Sequence, residues 1–180
     1  MSTEQALMPM ATMLAPDPSW AFSLVCLVSD AFNDPERVRR DFPEWFDVPS
    51  WSQLELAQRA LLTGLAGDLW GLDPALVGFD WCASAEEIHG QLRHIPLSPL
   101  KSWDPDPTRN YTRSDPDAAA PYLQEAARRS RAAGMALFRI HIGDSFELGF
   151  VRAERGELLV EDSLRAGFAA IDHTFELIAS

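Results

Sequence analysis

The sequence predicts an α+β domain in which helices cover one face of an antiparallel sheet, and three observations predict it. Residues 135–162, MALFRIHIGDSFELGFVRAERGELLVED, alternate apolar and polar side chains with the two-residue period of pleated strands. Gly143-Asp144-Ser145 and Glu154-Arg155-Gly156 interrupt that alternation with turn-forming residues. Upstream the apolar spacing changes to that of helices, as in Leu54, Ala57, Leu61 and Leu65.

Taken in order, residues 1–18 hold three prolines, several methionines and little pattern, so they read as a loosely ordered arm before a single domain over 19–180. Ser19 is the expected cap of a helix from Trp20 to about Phe32, with Phe22, Val25, Cys26 and Ser29 stepping around one face. Asn33-Asp34-Pro35 restarts a short helix. Phe42, Trp45, Phe46, Val48 and Trp51 read as a packed aromatic corner, because each buries a large area. The next helix runs from Ser50 or Ser52 to about Leu69, weakened at its end by Gly64 and Gly67.

Residues 75–81 are a candidate strand, and Ser84 with Glu87 forms a capping box for the helix that follows it. That helix must stop before Pro96. The stretch 97–116 is rich in turn formers and reads as a long surface loop. A fourth helix, with Leu123, Ala126, Ala127 and Ser130 as its buried stripe, ends at Gly134.

Strands are expected near 135–142, 146–153 and 157–162. Residues opposite one another across an antiparallel pair share a face. A three-residue loop at 143–145 pairs Ile142 with Phe146 and Phe138 with Phe150, and a second pairs Phe150 with Val160. Even-numbered side chains from 136 to 160 then form one apolar surface for the helices to roof. Residues 168–177 read equally as a strand or a short helix.

Composition narrows the function classes. Residues 1–100 carry fourteen acids against five bases, net −9, within a chain whose formal charge is −12. Such a chain repels phosphate backbones, which argues against nucleic acid and suits a basic protein partner. The longest apolar stretch, Trp20 to Val28, is too short for a membrane span, and no basic leader precedes it. Cys26 and Cys82 lie in apolar surroundings and read as reduced, packed thiols, which points to the cytoplasm.

No Gly-rich phosphate loop, His-Glu-x-x-His motif or Gly-x-Ser-x-Gly elbow is present, so no cofactor, metal or catalytic residue is assigned. His89 and His94 lie five apart on a predicted helix, roughly 140° around its axis, and cannot face one ion. The nearest approach to a reactive constellation is His141, Asp144 and Ser145 beside the first hairpin turn. Turn chemistry explains the Gly-Asp-Ser run more simply. As binding residues the sequence offers His141, Asp144, Ser145, Asp80, Trp81 and Trp103.

Two segments carry a resemblance. Phe79-Asp80-Trp81 followed by Ala85-Glu86-Glu87-Ile88 and Gln91-Leu92, together with Gly143-Asp144-Ser145-Phe146 followed by Leu148, resembles a bacterial family known as domain of unknown function 6630. The resemblance implies a small α+β domain and no established activity. The residues themselves favour a non-catalytic interaction module of immunity or regulatory type, cytoplasmic and directed at a basic partner. The alternative is a small-ligand binder or enzyme with a pocket between the 97–116 loop and the 143–145 turn.

Overall fold

A computed structural model describes residues 3–105 and 119–179. Its helices and strands follow the order α1 (Thr3–Leu14), α2 (Pro18–Asn33), α3 (Pro35–Asp41), α4 (Pro43–Phe46), α5 (Gln53–Leu65), β1 (Leu76–Asp80), α6 (Ala85–Leu92), α7 (Ala120–Ala132), β2 (Met135–Ile142), β3 (Ser145–Arg152), α8 (Gly156–Arg165) and β4 (His173–Leu177). The strands form one antiparallel sheet in the order β1-β3-β2-β4. The expected α+β class is the observed one.

The central hairpin turns on two residues, not three. Ile142 pairs with Ser145, leaving Gly143-Asp144 as the loop. Gly143 takes a φ of +57°, the left-handed geometry that glycine supplies without strain at the first central position of a tight hairpin turn. This register sets Phe138 opposite Gly149, and Leu137 opposite Phe150. Phe138 and Phe150 therefore point to opposite sides, and the single apolar surface expected from parity becomes two.

Helices accordingly cover both faces, which corrects the one-sided cover. Leu76, Ala136, Phe138, Ile140, Val151 and Phe175 form one side and pack with α1, α2, α5 and α8. Val77, Phe79, Leu137, Phe146, Leu148 and Phe150 form the other and pack with α6, α7 and the segment from Ile95 to Leu100. Gly149 makes the first side close-packed. A methyl group added there would lie 2.7 Å from both Phe138 Cζ and Leu76 Cδ2. Gly149→Ala is expected to lower stability by about 1–3 kcal/mol through overpacking, read as a shift in the urea midpoint. An unchanged midpoint would mean that the Phe138 ring can retreat.

The strand expected over 157–162 is instead α8. Leu159, Asp162, Ser163 and Ala166 are buried, a spacing of three and four that fits a helix, whereas Leu158 and Val160 are only half-buried. Its start presses on the sheet, because Gly156 leaves room for Leu177 and Ala136. The edge beside β2 is taken by β4, which resolves residues 168–177 into a short 3₁₀ turn and a strand.

Residues expected to form a loose arm instead contain α1, with Ala6, Leu7, Met10, Ala11 and Leu14 buried against α2, α5 and α8. Methionine and alanine, weak as a visible pattern, make a good helical stripe. Asp17, not Ser19, caps α2: its carboxylate accepts from the amides of Ser19 at 2.9 Å and Trp20 at 3.0 Å, and Pro18 occupies the first turn, where no amide is required. The buried stripe of α2 is Trp20, Leu24, Leu27, Val28 and Ala31, so Phe22 and Cys26 face outward. Both thiols, Cys26 and Cys82, are exposed rather than packed.

Ser52 and Ser84 cap α5 and α6 by accepting from the Glu55 and Glu87 amides, each at 3.2 Å. α7 ends at Ala132, Gly134 just beyond it takes a φ of +78°, and the helix buries the predicted stripe. The loop expected over 97–116 is described as far as Pro105, and 106–118 lie outside the described residues.

Candidate functional site

At one end of the sheet β1 and the hairpin turn bring predicted residues together. Asp80 is the strand partner of Ser145, and the Trp81 amide donates to the Asp144 carbonyl at 3.3 Å. Trp81 stands 58% exposed above them. Ser145 Oγ donates to the Ile142 carbonyl at 2.9 Å, which is turn bonding. His141 does not join the group: alternation along β2 places it on the opposite face from Ser145. There its Nε2 lies 3.2 Å from Glu176 Oε1, which also accepts from Arg139 Nε at 2.7 Å. Burial would raise the Glu176 carboxyl, but Arg139 and His141 outweigh it and hold the group below its ordinary value.

Trp103 lies elsewhere, in an aromatic cluster that fastens its loop to α6 and α7. Its ring stacks on Tyr122 with centroids 5.6 Å apart and meets the His89 ring edge-on at 5.4 Å. His89 Nδ1 lies 3.2 Å from the Tyr122 hydroxyl, while Nε2 is buried with no hydrogen-bond partner among the described residues. Burial, with help from Arg93, pushes the His89 imidazole below its ordinary value. The Arg129 guanidinium sits 4.8 Å from the Trp103 ring centroid. Glu125 accepts at 2.7–2.8 Å from both Arg128 and Arg129, which hold its carboxyl at about 2. An open cavity of about 470 Å³ adjoins this cluster, walled by Leu100, Trp103, Asp104, Arg128 and Arg129. Neither the hairpin turn nor Asp80 contributes to it.

A smaller cavity, about 190 Å³, runs between α2 and α3 beside Trp70. Among the described residues no set of three or more His, Cys, Asp or Glu side chains is placed to hold a metal ion. No helix there is long and apolar enough to cross a membrane.

The family described as Domain of unknown function (DUF6630) has a model that matches residues 6–174, nearly the whole chain. The chain belongs to this family. The two segments that carry the resemblance in the DUF6630 sequence are hydrogen-bonded neighbours in space, joined through Trp81 and Asp144. No curated protein and no solved structure matches the chain.

Sequence reasoning missed the side chains that surround Trp103 in this DUF6630 domain. Tyr122 and Arg129 stand seven apart, two helical turns along one face of α7, and that spacing was the available signal. It missed the α2–α3 groove as well, because Phe22 and Cys26 look like core residues until Trp20 and Leu24 are seen to occupy the buried face.

Proposed function

We propose that this domain is a non-catalytic, cytoplasmic protein-interaction module of immunity or regulatory type, which takes a basic partner on its acid-rich first hundred residues. One observation carries the reading. Of the five large apolar side chains exposed among the described residues, four (Phe22, Trp45, Leu72 and Trp81) fall in the stretch with fourteen acids and five bases. Exposed apolar groups set in like charge suit a partner that supplies both apolar contact and countercharge. Capture of interacting proteins from the source cell is expected to yield a basic protein whose affinity drops several-fold as salt rises from about 0.05 to about 0.3 M. Affinity indifferent to salt, or no specific partner, would overturn the proposal.

The 470 Å³ cavity beside Trp103 favours a second reading, a small-ligand binder. A metabolite that raises the melting temperature of the wild type but not of Trp103→Ala would support it.

A further inference from the structure

The groove between α2 and α3 combines apolar walls with loosely held charge. Leu27 and Val38 are buried at its base, and Phe42 and Trp70 are partly buried beside them. Cys26, Asp30, Arg37 and Asp41 border it. Phe22, 71% exposed, precedes Cys26 by four residues on α2 and so shares its side of the helix, extending the apolar wall outward.

The charges at the border are under-committed. Arg37 lies 3.6 Å from Asp30 and 3.5 Å from Asp41, and Arg40 lies 3.3 Å from Asp41. Charge-assisted bonds in good geometry are about 2.7–2.9 Å. The Glu125 pairs in the same molecule reach 2.7 Å. Residues 30–47 carry six acids against three arginines, and one of these, Arg39, is already bound to Glu36 at 2.7 Å and to the Trp51 carbonyl at 2.9 Å.

We infer that this groove is where the basic partner docks. A bulky apolar side chain of the partner enters between Cys26 and Trp70, and a neighbouring arginine or lysine takes Asp30 and Asp41 from Arg37. The inference rests on the interaction reading above and gives it an address. Its energetic logic is that the apolar insertion removes surface from water, while the incoming cation finds two carboxylates whose existing contacts are long and solvent-exposed.

The two exposed thiols supply the test. The full chain is mixed with a short synthetic amphipathic helix of leucine and arginine, and separately with its leucine–glutamate counterpart. Alkylation rates of Cys26 and Cys82 are then followed by mass spectrometry. The arginine peptide is expected to slow Cys26 several-fold and leave Cys82 unchanged. The Asp30→Asn/Asp41→Asn variant is expected to weaken its binding about tenfold, close to 1.4 kcal/mol. Phe22→Ser, a surface change that spares the fold, should weaken it too. Salt-sensitive binding of the arginine peptide with Cys26 unprotected would sink the groove and leave the broader reading standing. Equal affinity for both peptides would sink both.

Discussion

Deleting residues 1–14 is expected to abolish cooperative folding. α1 buries Leu7, Met10 and Leu14 almost completely, with Ala6 and Ala11 filling the spaces between them. Each large aliphatic side chain contributes about 1.5–3 kcal/mol on burial. Three of them approach the entire stability of an ordinary domain, about 5–15 kcal/mol. The deletion also uncovers the surfaces of α2, α5 and α8 on which α1 rests. Loss of the near-ultraviolet dichroism signal and of a sharp urea transition is the expected readout. The milder Leu7→Ala should cost about 2–5 kcal/mol while the fold survives. A shortened chain with the wild-type midpoint would show that α1 is dispensable.

Glu147→Gln is expected to stabilise the protein at alkaline pH and to do nothing at acid pH. Glu147 lies on β3 between Gly78 and Ile140, on the face covered by α1, α2, α5 and α8. Its Oε2 is sealed from water and has no hydrogen-bond partner among the described residues. Burial alone pushes the carboxyl from 4.5 up to about 7.

Between those two values the folded chain holds a proton that the unfolded chain has released, so the contribution of this group to stability falls as pH rises through that window. Below it the acid is neutral in both states, and above it the full cost of a buried, unpaired charge is present. The difference corresponds to about 3 kcal/mol at most. His89 and His173, both lowered chiefly by burial, act in the opposite direction over an overlapping range. Wild type minus variant is therefore the informative quantity. It should be near zero at about pH 4 and reach about 3 kcal/mol in favour of the variant at about pH 8. A difference independent of pH would mean that water reaches the carboxyl.

Some of this fold could be read directly from the residues. Ser52 and Ser84 announce helix starts through local hydrogen bonds, and Gly134 announces a helix end, so those boundaries need no tertiary information. The existence of the β2–β3 hairpin was equally legible. Its register was not, because both parities of β3 are apolar enough to be buried once helices lie on each side of the sheet. The run 157–162 fits both periods over so short a length, and the place beside β3 that a strand there would take is held by β1. On α2, apolar nearly all round, periodicity could not say which stripe faces inward. Of the predicted site, Asp80, Trp81, Asp144 and Ser145 meet through strand pairing, whereas the separation of His141 from Ser145 follows from the two-residue turn, which parity reasoning had made three.

The contact of α1 with α8 also bears on how the chain is made. On a ribosome adding about 5–20 residues per second, the part of α1 that faces α8 waits on the order of ten seconds for residues 156–165 to emerge, long after α2 and α5. During that interval Leu7, Met10 and Leu14 have α2 and α5 to pack on but not α8. Its synthesis should accordingly depend on holdase chaperones more than that of a domain whose first helix is covered by its immediate successors alone.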